Sequence, residues 1–148
     1  MKNLDLHSFN DVLKVVSAYG GYFNFVKFVE SHKEESILLT TEQFSRVFTP
    51  TEFDHVLSQY RLRKNIFDTY DHVVIRENKY ILFKDPSHKD KQNSVFNVSD
   101  PTYSIGPFGD IEGLVELIDK DGVSCGYVSS NLLRLASNKE IENDIRID

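Results

Sequence analysis

The stretch from Thr49 to Phe83, TPTEFDHVLSQYRLRKNIFDTYDHVVIRENKYILF, decides how the chain is read. Thr49-Pro50-Thr51-Glu52 combines an N-cap hydroxyl, a proline at the first helical position and a glutamate three residues after the cap. Phe53, Val56, Leu57 and Tyr60 follow at helical spacing and predict one buried face. Arg61, Arg63 and Lys64 fall in the last turns, where cations suit the helix dipole, and the helix is expected to stop near Asn65. Beyond it, Val73-Val74-Ile75, a polar Arg76-Glu77-Asn78-Lys79 turn and Tyr80-Ile81-Leu82-Phe83 read as a β-hairpin.

Upstream, Ser8-Phe9-Asn10-Asp11 reads as a capping box for a helix or ordered arm running to Tyr19, broken by Gly20-Gly21. Tyr22, Phe25, Val26 and Val29 repeat the helical spacing, although YFNFVKFV is aromatic enough to leave a strand open. Thr40-Thr41-Glu42-Gln43 reads as a further cap, opening a brief helix through about Phe48. Helix, short helix, helix, hairpin is the winged-helix order. Downstream, residues 86–107 hold three of the four prolines among polar residues and read as a linker. Ile111, Leu114, Val115 and Ile118, with Leu117 beside them, fit an amphipathic helix ending at Asp121-Gly122. Tyr127, Val128, Leu132, Leu133 and Leu135 suggest another helix, and Asn138 a cap for a last one containing Ile141 and Ile145. The expected fold is therefore α+β and mainly helical. It comprises an N-terminal arm or helix (1–21), a winged helix (22–85), a linker (86–107) and a smaller unit (108–148). That last unit reads equally as a second helix-turn-helix or as a helical hairpin packed on the first.

Composition narrows the functional classes. The 148 residues, 40% apolar and 12% aromatic, suffice for a real core. One cysteine, Cys125, permits no internal disulfide, which fits a reducing compartment such as cytosol or nucleus. Neither a signal peptide nor a membrane-spanning apolar run is expected. The net charge of −6 argues against coating nucleic acid non-specifically. The charge is also graded: residues 40–91 hold nine basic and eight acidic residues, whereas 92–148 hold four and ten.

No glycine-rich phosphate loop occurs. His7, His32, His55, His72 and His88 lack the pairings of a metal site, so no metal or cofactor is expected. Asp119-Lys120-Asp121-Gly122 opens like a calcium loop, but its glycine comes too early and the bidentate glutamate is missing. Cys125, beside an apolar stretch, reads as a small buried residue rather than a nucleophile. Nothing in this pattern indicates an enzyme. If 50–64 is a third helix and 76–79 a wing tip, their cations could meet one nucleic-acid backbone, with protein contact as the main competitor.

Three segments resemble the beta subunit of general transcription factor IIE, a tandem winged-helix family. They are SFNDVLKVVSAYGGYFNFVKFVESHKEESILLTTEQF (8–44), VIRENKYILFKDP (74–86) and LVELIDKDGVSCGYVSS (114–130). The chain lacks that family's Ser/Lys-rich amino-terminal region, its basic tail and a second wing. The resemblance implies a non-catalytic role: pairing with an alpha subunit, docking on RNA polymerase II, and holding or opening promoter DNA. Under it, Arg61, Arg63, Lys64, Arg76, Lys79 and Lys84 are the DNA-facing candidates, and the acidic end faces protein. Separately, if 108–148 is a small unit of its own, an apolar strip including Tyr127 or Ile141 is expected to stay exposed and to be buried on association with a partner. The alternative is a protein-interaction module without nucleic-acid contact, as in a vesicle-sorting complex or a phage-encoded inhibitor.

Overall fold

The computed structural model describes residues 4–107 and 110–147. The chain divides into two compact units, residues 1–63 and 64–148.

The first unit runs α1 (Phe9–Ala18), α2 (Tyr22–Ser31), β1 (Ile37–Thr40), β2 (Ser45–Phe48) and α3 (Pro50–Lys64), the last residue of α3 lying at the division. Val12, Val15 and Val16 bury one side of α1. Ser8 stands at its N-cap without a side-chain bond, so the expected capping box is absent; Asp11 instead accepts the backbone N–H of Asp5 at 2.8 Å. A Schellman motif ends the helix, with Gly20 N–H donating to Ser17 O and Gly21 N–H to Val16 O. Both glycines have positive φ (87° and 105°), which ordinary residues rarely adopt. The aromatic run 22–29 is helical, because Tyr22, Phe25 and Val29 share one buried face.

The expected short helix after Thr40 is replaced by a turn between β1 and β2. Thr41 Oγ1 accepts the N–H groups of Gln43 and Phe44, both at 3.1 Å, and so closes a hairpin rather than capping a helix. Ile37 then pairs with Phe48 and Thr40 with Ser45. The capping box of α3 is present as expected: Glu52 N–H donates to Thr49 Oγ1 (3.2 Å) and Thr49 N–H to Glu52 Oε1 (3.1 Å). Phe53, Val56 and Tyr60 are buried and Leu57 is half-buried. Phe48 stacks on Phe53 and Tyr22 on Tyr60, with centroids 5.3 and 5.2 Å apart.

The second unit is a sheet. Its strands are β3 (His72–Ile75), β4 (Phe96–Ile105), β5 (Ile111–Ile118), β6 (Ser124–Ser129) and β7 (Leu133–Leu135), all antiparallel in the order β6-β5-β4-β3-β7. A 3-10 turn (Ser130–Leu132) leads into β7, and a short helix, α4 (Asn138–Asn143), follows it. β4 is bent at the register shift between Ser99 and Thr102; its start pairs with β3 and its length with β5. Each strand pairs with its neighbours in sequence except β7, which returns to the far side of β3; a sheet of this kind assigns no function by itself.

The winged-helix expectation is thus overturned. Val73, Val74 and Ile75 do form a strand, but it lies between β4 and β7, fully buried as a central strand's apolar run should be. Residues 80–83 form no strand. Ile81 is held by the Gln92 side chain, which accepts its N–H (3.0 Å) and donates to its carbonyl (2.5 Å). Ile81 and Phe83 turn inward while Tyr80 and Leu82 are exposed. The stretch expected as a linker carries a 3-10 turn (Pro86–Lys91) and all of β4.

The first two helices expected after residue 108 are strands, whereas the last is present as the short α4. Ile111, Leu114, Val115 and Ile118 fit helical spacing, yet Ile111, Val115 and Leu117 point inward with period two, and Leu114 points out. Gly113 marks the reason: a Cβ there would lie 2.3 Å from the Tyr103 ring and 2.5 Å from Ser130 Oγ, a close approach between packed strands. Ser137, not Asn138, caps α4 through a capping box with Glu140, and Ile145 lies beyond that helix. The core of the unit comprises Val73, Ile75, Phe96, Val98, Val115, Leu117, Val128 and Leu133, with Ile81 and Phe83 from the long loop.

Candidate interaction surface

The basic residues singled out in the sequence are distributed over both units and largely engaged. In the first unit Arg61 Nε donates to the Tyr22 hydroxyl at 2.8 Å, and the Arg63 guanidinium sits 5.0 Å from the centroid of the Phe9 ring. In the second, Lys64 Nζ lies 3.6 Å from Asp110, and Arg76 donates to the side chain of Asn65. The expected turn at 76–79 is present, closed by Lys79 N–H to Arg76 O at 3.0 Å, but it is the start of a long loop and not a wing tip. Lys79 and Lys84 are exposed.

Two buried ionic groups organise the second unit. Glu140, 1% exposed, receives a two-pronged contact from Arg134 (2.7 and 3.0 Å) together with the N–H groups of Ser137 and Ile147. Arg134 also bonds Glu77. The Arg134 contact holds the Glu140 carboxyl down at about 2, against the cost of burial. Through this group α4 and the tail after it are fastened over β7. The other is Asp119, whose Oδ2 lies 2.5 Å from Lys91 Nζ and whose Oδ1 accepts the N–H groups of Asp121 and Val123, both at 2.9 Å. Burial opposes its ionisation, but these bonds prevail and its pKa lies below the usual aspartate value. The apparent calcium-loop start is therefore an aspartate-anchored β-turn. Burial pushes the nearby Cys125 thiol up, away from the thiolate a nucleophile requires.

A cleft of about 410 Å³ in the first unit is lined by Asp5, His7, Arg46, Glu52 and His55 among others. Its polar groups are turned on one another: Arg46 pairs with Glu52, His55 Nε2 meets Leu6 O at 3.1 Å, and His7 N–H donates to Asp5. Among the described residues no group of three or more His, Cys, Asp or Glu could hold a metal ion. No helix of the described residues is long and apolar enough to cross a membrane.

The outer face of β4, β5 and β6 is different. Directly opposed residues of a sheet point to the same side, so the register assembles this face row by row. Ser104 lies beside Glu112, Thr102 and Ser129 flank Leu114, Ser99 and Tyr127 flank Glu116, and Asn97 and Ser124 flank Ile118. Leu114 is 49% and Tyr127 52% exposed, large apolar areas for a strand centre. The Tyr127 hydroxyl donates to Asp100 Oδ2 and Ser124 Oγ to Glu116 Oε2, both at 2.8 Å. The bond to the Asp100 carboxylate raises the Tyr127 pKa, keeping the phenol protonated. None of the three strands contains a Lys, Arg or His. Between Lys91 and Arg134 the one basic residue is Lys120, against six acidic ones. Among the described residues β6 has a strand neighbour on one side alone, and it lacks the charged side chains that usually protect an edge.

Of the two residues singled out for protein contact, Tyr127 lies on this face, and Ile141, 37% exposed, lies on α4. The sequence reading missed Leu114, Glu112 and Glu116 as surface residues. The signal available was the period-two row Glu112, Leu114, Glu116, Ile118 inside a cation-free stretch. In comparisons with protein-family models, curated proteins and solved structures, the chain matches none.

Proposed function

We propose that this chain is a non-catalytic binding protein whose second unit presents the outer face of β4, β5 and β6 to a protein partner. The observation that carries the reading is that face itself: three strands without a cation, Leu114 and Tyr127 exposed at their centre, and acidic side chains around them. Exposed apolar area of this kind on a polar rim is characteristic of interaction sites. The first unit, with seven basic and eight acidic residues, has no comparable charge bias, whereas the second has ten and fifteen. That imbalance supports a protein rather than a nucleic acid as the partner of the second unit, because phosphates would be repelled. The promoter-binding role in transcription implied by the family resemblance loses the winged-helix fold it rested on, and nothing else favours it.

A photo-crosslinking residue at position 129, which lies opposite Leu114, tests the reading in cells that make the protein. A discrete protein adduct is expected there, and it should disappear when Leu114→Lys is added. The same crosslinker at exposed Glu142 on α4 should give no such adduct. Equal adducts at both positions, or an adduct indifferent to Leu114→Lys, would refute the assignment.

A further inference from the structure

The outer row of β5 runs Glu112, Leu114, Glu116, Ile118, acid and apolar in strict alternation on one side of one strand. Residues two apart on a strand lie about 7 Å apart, so the two carboxylates are about 14 Å apart with Leu114 midway. Glu116 already accepts one bond from Ser124 and Asp100 one from Tyr127, but each ionised carboxylate has room for several donors. No cation in β4, β5 or β6 competes for them. An extended chain has this same spacing on each of its sides. Resting on the reading above, we infer that the occupant of this face is an extended partner segment of the pattern basic-x-apolar-x-basic-x-apolar. Its basic side chains meet Glu112 and Glu116, and its apolar ones sit on Leu114 and Ile118, with Tyr127 walling one side. The charge complementarity selects the class of partner; the alternation selects its conformation, since a helix would bring every third or fourth residue to the face.

The experiment is an NMR titration of the full chain with the peptide Arg-Ser-Val-Ser-Arg-Ser-Val-Ser. The comparison peptide has the same composition with its two arginines adjacent and its two valines adjacent. The first peptide should shift amide signals of residues 97–104, 112–118 and 124–129 and bind several-fold more tightly than the second. Glu112→Gln with Glu116→Gln should weaken it by about fivefold to tenfold, as expected for two solvent-exposed ionic contacts. Glu142→Lys should leave it unchanged. The charge-reversed pair Glu112→Lys with Glu116→Lys should abolish binding, and the milder glutamine pair covers the case in which reversal disturbs the fold. Equal binding of both peptides, shifts centred elsewhere, or indifference to the glutamine pair would overturn the inference. If those results came with a position-129 adduct lost in Leu114→Lys, the face would remain a protein site and only the partner's chemistry would be wrong. If that adduct were missing too, both readings would fall.

Discussion

The two units of this chain build their cores from different kinds of information. In the first, the decisive contacts are local: a Schellman turn at Gly20-Gly21, a threonine turn at 41–44 and a capping box at Thr49 set five elements in sequence order. In the second, β3 takes its partners from more than 20 and about 60 residues further along, at Phe96-Asn97 and at Leu133–Leu135. The ends of helices are written in adjacent residues, whereas a sheet depends on pairings that no window of the sequence contains. Surface character follows the same division. In the first unit, Arg61 and Arg63 near the end of α3 are satisfied by an aromatic hydroxyl and an aromatic ring, while the sheet leaves an apolar and acidic face uncovered.

This contrast can be broken most forcefully in the first unit. Phe53→Ala removes a ring stacked on Phe48 and packed edge-on against Phe25 and Phe28, and should cost roughly 3–5 kcal/mol. Denaturant unfolding monitored by far-UV circular dichroism would measure it, and a loss below about 1 kcal/mol would show that the aromatic cluster is not the unit's core. In the second unit the comparable vulnerability is ionic. Glu140 is held at about 2, below its ordinary 4.5, by Arg134 and backbone donors. A depressed carboxyl stabilises the fold fully above its unfolded value, so the contribution should be intact above about pH 4.5 and lost as pH falls toward 2. Its size is of the order of 3 kcal/mol. Glu140→Gln should flatten this acid limb of the stability curve, and an unchanged limb would remove the Arg134 contact from the account. Smaller again is Gly113→Ala. Its methyl group would press on the Tyr103 ring and Ser130 Oγ, and overpacking of that kind costs about 1–3 kcal/mol, read as a lowered melting temperature.

How much was legible follows from where each signal lies. α1, α2 and α3 could be read from apolar spacing and breaks, and the α3 cap was unambiguous because proline and glutamate agreed with threonine. Thr41 was misread because a hydroxyl before two polar residues serves a helix start and a hairpin turn alike, and Phe44 and Phe48 settle the matter only through tertiary burial. The row 111–118 was misread because Leu114, an exposed leucine, completed a helical pattern; Gly113 inside that pattern was the available warning. Tyr80–Phe83 looked like a strand because it is a short apolar run after a polar turn, yet the backbone of Ile81 is partnered by the side chain of Gln92, a contact no propensity encodes. Tyr127 was reached from the small size expected of a separate C-terminal unit, but the geometry of its surface depends on the register of β5 with β6.

The smallest expected effect bears on the basic end of α3, where the sequence suggested nucleic-acid contact. Three freely exposed cations on phosphate would make the triple substitution Arg61→Ala, Arg63→Ala, Lys64→Ala lower the salt dependence of binding by up to about 3. The structure engages each of them: Arg61 on Tyr22, Arg63 on the Phe9 ring, Lys64 near Asp110. Releasing them for phosphate would forfeit a cation–π contact of about 0.5–1 kcal/mol and a hydrogen bond of similar size. Any binding to single- or double-stranded DNA should therefore be weak, and the triple substitution should change its salt slope by less than about 1. The substitutions should act on the fold instead: Arg63→Ala should lower stability by about 0.5–1 kcal/mol, and Arg63→Lys should restore part of the loss. A slope change near 3 with unaltered stability would reverse this conclusion. It would place a phosphate contact on the helical unit and leave the protein-binding role to the sheet, so that the two units would differ in ligand as they differ in construction.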